Sequence, residues 1–163
     1  MPDGRSIVTN TTPLIALAAA TGSLDILQVL YKRVIVPLEV QEELLAAGKS
    51  AVGVSEFEQA NWLERRETPV ALTPFISNSL DRGEAAVIQT AINEKIELVC
   101  IDESVGRRIA RLSGLTITGS VGVLVKARRN GFALSMPQAL DRMRRHGIWL
   151  SESVVRFALS QSD

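Results

Sequence analysis

The chain has 163 residues, 46% of them hydrophobic, and one cysteine, which fits one domain with a real core and excludes a disulfide framework or a cysteine zinc knuckle. The formal net charge is zero but unevenly spread: residues 1–103 carry 15 acidic and 8 basic side chains, and residues 104–163 carry 3 and 10. The longest apolar tract, "PLIALAAA", is far short of the roughly 20 residues a membrane span needs, and "MPDGRSIVTN" lacks the apolar segment of a secretory leader, so a soluble, cytoplasmic chain is expected.

In chain order, "SIVT" reads as a short strand running straight into Asn10. "TPLIALAAATG" follows as a helix, with Thr12 as cap, Pro13 in the first helical position and Gly22 as the stop. "SLDILQVLY" is a second short helix capped by Ser23, and "RVIVP" a second strand closed by Pro37. "LEVQEELLAAG" is helical, with an apolar stripe of Leu38, Val40, Leu44 and Leu45 and a stop at Gly48. "VSEFEQANWLERRE" is a helix leading to a strand-like segment around Trp62 and Leu63, and "TPVALTPFISNS" is irregular.

The second half is more regular. "LDRGEAAVIQTAINEK" is a helix with Asp81 near its start, and "IELVCID" is a continuous apolar strand containing Cys100, a buried hydrophobe on this reading. "ESVGRRIARLSG", "LTITG" and "SVGVLVKARRNG" continue as helix, strand and helix. "SMPQALDRMRRHG" and "SESVVRFALS" are two further helices with serine caps. Short apolar strands alternating with helices predict a three-layer α/β/α fold around a central, mostly parallel sheet. In such sheets the ligand site lies beyond the C-terminal strand ends, near a switch in strand order.

Those ends carry oxygens. The first strand ends in Asn10, and "LVCID" ends in Asp102, followed by Glu103. Glu43 and Glu84 occupy helical positions that project toward the same edge. Such side chains converging from distant segments form a hard-cation site for Mg²⁺ or Mn²⁺. Each residue also has a plainer reading. Asp81 and Glu84 have capping-box spacing, one of Glu42 and Glu43 is ordinary helix surface, Asp102 can cap the next helix, and Asn10 can tie down a turn.

Other chemistries lack their devices. There is no G-x-G-x-x-G after a strand, so a dinucleotide site lacks its main device, and no G-x-x-x-x-G-K-[ST], so a P-loop enzyme is excluded and a small nucleotide-binding protein is disfavoured. The single His146 cannot make a zinc site alone, and no G-x-S-x-G supports a serine triad.

The ordered segments "IVTNTTPLIAL", "VIVPLEVQEEL", "LDRGEAAVI", "LVCIDESVGRRIA" and "LTITGSVGVLVKA" together resemble a PIN domain, the metal-dependent nuclease fold of VapC-like toxins, over residues 6–130. The chain then reads as one PIN-like domain over 1–163, with 135–163 as a C-terminal helical extension. The resemblance implies a divalent-metal-dependent ribonuclease, the toxin of a toxin–antitoxin pair, using Mg²⁺ or Mn²⁺. RNA as substrate, a small antitoxin partner, a homodimer and no membrane come with it. By position Asn10 takes the place of the first acid, Glu43 the second with Glu42 as fallback, Glu84 the third and Asp102 the fourth, with Glu103 assisting. Thr11 and Thr12 stand where a hydroxyl supports the first acid, Asp81 is a further support, and Ser120 orients a water.

Arg107, Arg108 and Arg111, on the helix leaving Asp102, are candidates to grip RNA phosphates, with a solvated helix face as the plainer reading; the clusters at 126–129 and 142–145 are weaker candidates. The family pattern has Asp where this chain has Asn10, which removes one anion and favours an alternative: a catalytically weak PIN-fold module that binds RNA or a partner protein.

Overall fold

In the computed structural model residues 4–161 are described, so the outer ends of the expected 1–163 domain, residues 1–3 and 162–163, lie outside it. Five strands form the sheet: β1 (Ser6–Thr9), β2 (Arg33–Val36), β3 (Glu64–Arg65), β4 (Leu98–Cys100) and β5 (Thr116–Thr118). All neighbours are parallel, in the order β3-β2-β1-β4-β5. Consecutive strand residues face opposite sides of a sheet. Ile7 and Val8, and likewise Val99 and Cys100, have no exposure at all, so both faces are covered. This is the expected three-layer α/β/α arrangement, with the sheet parallel throughout.

Ten helices surround the sheet among the described residues. In chain order they are α1 (Thr11–Thr21), α2 (Asp25–Leu30), α3 (Leu38–Leu45), α4 (Val54–Gln59), α5 (Pro74–Ser79), α6 (Arg82–Glu94), α7 (Ser104–Leu112), α8 (Ser120–Arg129), α9 (Met136–Arg145) and α10 (Glu152–Ser160). Helix α6 lies on β1 and β4 and packs against α3, α5 and α7. Helix α1 is buried along most of its length because Ala16, Ala18, Ala19 and Ala20 let neighbours approach closely. It packs against α8 and α9, and α9 contributes Met136, Leu140 and Met143 to the core. Cys100 is a buried, unpaired thiol, as expected.

Local differences from the sequence expectation have physical causes. The cap of α1 is Asn10, not Thr12, so Pro13 stands third in the helix. That position is harmless because the first four helical N–H groups have no partner within the helix. Strand β3 falls at Glu64–Arg65, just after Trp62 and Leu63. Arg33 fixes it there, donating from Nε and Nη2 to the two Glu64 carboxylate oxygens at 2.7 and 2.8 Å. The stretch expected to be irregular contains α5, begun by Pro74 in the first turn and anchored by buried Ile76. In the apolar stripe of α3, Val40 and Leu44 are buried, whereas Leu45 is exposed.

Strand order reverses between β1 and β4: β2 and β3 lie on one side of β1, β4 and β5 on the other. Beyond the C-terminal ends of such a pair a parallel sheet opens a crevice.

Candidate metal centre

Asn10 follows β1, and Asp102 lies two residues past β4. The Asn10 N–H donates to the Cys100 carbonyl at 3.1 Å, which holds the two strand ends level. The Asn10 side chain makes no capping bond, and its Oδ1 is buried without a hydrogen-bond partner among the described residues. A turn-forming asparagine would spend that oxygen on a backbone N–H. The geometry therefore removes the simple turn reading.

Asp81 caps α6, its Oδ1 accepting from the Glu84 N–H at 2.9 Å. The capping bond fixes the first turn and turns Glu84 inward, where it is only 4% exposed and its Oε2 lacks a hydrogen-bond partner. Glu103, the cap residue of α7, spends no side-chain bond on its helix. Asp81, Glu84 and Glu103 instead bring carboxylate oxygens within 4.8 Å of one another. Burial, then the hydrogen bond and charge of Asp81, then the charges of Glu103 and Glu43, push the Glu84 carboxyl up to about 8. Like charges gathered in a low dielectric favour the protonated form unless a cation takes the proton's place.

Three glycines make room for this arrangement, none with a positive φ. A Cβ on Gly83 would lie 2.9 Å from Glu43 Oε2 and 3.3 Å from Asn10 Oδ1, so those two oxygens face one small space. A Cβ on Gly106 would collide with Glu84 Oε2 at 2.4 Å, and one on Gly119 would approach Asp102 Oδ1 to 2.7 Å. Glycine within a helical turn costs up to about 1 kcal/mol relative to alanine. At Gly83 and Gly106, each in the first turn of its helix, close approach by site oxygens explains its use. Sequence reasoning passed over all three; the available signal was glycine in the first turn of a helix, beside Glu84 at Gly83 and three residues past Glu103 at Gly106.

Asp102 does not cap the helix that follows it. It reaches across to α8, where its Oδ1 accepts from the Ser120 N–H at 2.7 Å. Burial raises the Asp102 carboxyl, while the Ser120 backbone and hydroxyl hydrogen bonds and the Arg107 charge pull it back down. Buried Ser120 thus orients Asp102. Arg107 Nη1 donates to the Ile101 carbonyl at 2.9 Å, which holds this guanidinium against the strand end, while Arg108 and Arg111 are exposed. Glu42 pairs with Arg82 at 2.7 Å, which leaves Glu43 as the acid facing Asn10. Thr11 is buried with an unpartnered hydroxyl. Half-buried Thr12 lines, with Asp102, Glu103 and Ser120, a groove of about 1010 Å³.

The donor set is all oxygen, which suits Mg²⁺ or Mn²⁺ and not thiol-seeking metals. The orphaned Asn10 and Glu84 oxygens and the mutually repelling carboxylates fit a divalent cation. No described helix is long and apolar enough to cross a membrane. The chain has no significant match among curated proteins. The family model described as DUF3368, PIN domain, matches residues 6–163, nearly the whole chain, and the protein belongs to this PIN-domain family, which has a nuclease-type fold.

Proposed function

We propose that this PIN-domain chain is a divalent-metal-dependent endoribonuclease acting in the cytoplasm as the VapC-like toxin of a toxin–antitoxin pair. The observation that carries the reading is the meeting of Asp81, Glu84 and Glu103 beside the unpartnered oxygens of Glu84 and Asn10, at the strand-order switch. Glu84, Asp81 and Glu103 would hold Mg²⁺ or Mn²⁺, with Glu43, Asn10 and Asp102 completing the oxygen set. The cation supplies Lewis acidity toward a phosphodiester and a nearby water.

The chain's own groups do the rest. Glu84, with its carboxyl pushed up to about 8 by burial and neighbouring carboxylates, would give up its proton to bind a cation. Asp102 is held in one orientation by Ser120 and the neighbouring Arg107 charge. Glu43, exposed and facing Asn10, adds its carboxylate to the oxygen set from α3. Exposed Arg108 and Arg111 meet flanking phosphates. A small antitoxin and a second copy of the chain are the protein partners, with exposed Val29 on α2 and Leu45 on α3 as apolar contacts for the dimer. Residues 135–163 complete the same domain, which the family match spans.

A second reading has its own observation. Asn10 brings no charge to the position it occupies, which favours a weakly catalytic module holding RNA or a partner protein. Induced expression without any neighbouring antitoxin separates the two. Wild type arrests growth, and Asp102→Asn, at equal soluble level, relieves the arrest. Arrest that persists in Asp102→Asn contradicts nuclease toxicity.

A further inference from the structure

The groove that holds Asp102 and Glu103 is closed on another side by the connection between α9 and α10 and by α10 itself. Its volume, about 1010 Å³, stands at the top of the roughly 300–1,000 Å³ range of ligand sites. Trp149 lines it at 83% exposure, with Phe157 at 49%. A tryptophan ring carries one of the largest apolar surfaces of any side chain and is seldom left in water without a partner. The chain's other tryptophan, Trp62, packs against the core. The fold does not explain why Trp149 is held at the mouth of an acid-bearing groove.

The groove is continuous with the proposed acidic centre through Asp102 and Glu103, so its occupant flanks whatever phosphate that centre holds. Arg107 lines the groove directly, while exposed Arg142 and Arg144, on the last turn of α9, lie outside its lining. Exposed aromatic faces beside arginines are the surface that takes single-stranded nucleic acid, with bases on the rings and phosphates on the cations. A paired base has no free face to offer, so the strand must be unpaired there.

We propose that Trp149 is a base-stacking platform, and that the groove seats an unpaired nucleobase flanking the phosphate held at the acidic centre. This rests on the ribonuclease reading and adds to it a base subsite built by the C-terminal helices.

The test uses the full chain carrying Trp62→Phe, which leaves Trp149 as the single tryptophan reporter. It is titrated in EDTA at low salt with an eight-nucleotide single-stranded oligoadenylate and with a duplex of the same length. The single strand quenches Trp149 fluorescence and the duplex does not. By anisotropy of a labelled strand, Trp149→Ala weakens binding about tenfold, while Trp149→Phe keeps most of it. Equal affinity for wild type and Trp149→Ala, or no quenching, overturns the platform. Trp149-dependent self-association in sedimentation without quenching overturns it too, and makes the groove a protein interface. Quenching by the single strand without any metal-dependent cleavage leaves the platform standing and removes the nuclease reading instead. Cleavage that is indifferent to Trp149→Ala does the reverse.

Discussion

Glu84→Gln should change stability and metal binding in opposite directions. The folded chain holds the Glu84 proton to about pH 8, whereas an ordinary glutamate releases it near 4.5. Folding therefore takes up a proton across that window, and metal-free stability falls as pH climbs from about 4.5 to about 8, levelling off beyond. At about 1.36 kcal/mol per pKa unit the ceiling is about 5 kcal/mol, and solvent around exposed Asp81 and Glu103 screens it to roughly 2 kcal/mol. In a domain of this size that is a fall in Tm of roughly 4–8 °C. Glutamine mimics the protonated acid, so the variant should lose most of this slope and be the more stable protein at pH 8.5. Asp102, also raised by burial, adds a slope of the same sign to both proteins and cancels in the comparison. Mn²⁺ at about 100 times its Kd should restore about 2.7 kcal/mol to wild type and little to the variant. Scanning calorimetry between pH 5 and 9, with Mn²⁺ or with EDTA, reads all of this. Equal slopes in the two proteins, or equal stabilisation by Mn²⁺, would refute the placement of Glu84 among repelling carboxylates.

Asn10→Asp should tighten Mn²⁺ binding roughly tenfold by titration calorimetry, since it adds a charge beside Glu43 in the same small space; unchanged affinity would place Asn10 outside the centre. Gly106→Ala should destabilise the chain by about 1–3 kcal/mol and weaken Mn²⁺ binding, because the new methyl meets Glu84 Oε2 at 2.4 Å and Ile101 Cγ2 at 2.9 Å. An ordinary helical glycine would gain stability on that change, so thermal stabilisation with unaltered Mn²⁺ uptake contradicts the close packing of Glu84.

The sheet was legible because β1, β2 and β4 are runs of apolar, mostly β-branched residues bounded by Asn, Pro and Asp. Strand β3 was harder to place, since a two-residue edge strand of Glu64 and Arg65 has no apolar pattern and depends on Arg33 from elsewhere in the chain. Helix α5 was hidden by its length of six residues and its single buried side chain. At the site, strand ends pointed to Asn10, Asp102 and Glu103, but Asp81 read chiefly as a cap. A cap and a ligand require the same short acidic side chain, and only the folded chain shows that Asp81 approaches Glu103 as well. Spacing could not reveal that Asp102 is held by Ser120, eighteen residues further on. The groove was equally hidden, because its walls come from residues 12, 102 and 149, which no local pattern joins.

The proposed metal-dependent nuclease activity stands on Glu84. Its most direct test is cleavage of an end-labelled single-stranded RNA by purified wild type and Glu84→Gln, with Mn²⁺ and with EDTA. Wild type should cleave at discrete positions with Mn²⁺ and not in EDTA, and Glu84→Gln should lose about a hundredfold or more of that activity. Cleavage that proceeds in EDTA, or that survives Glu84→Gln at the wild-type rate, would contradict it.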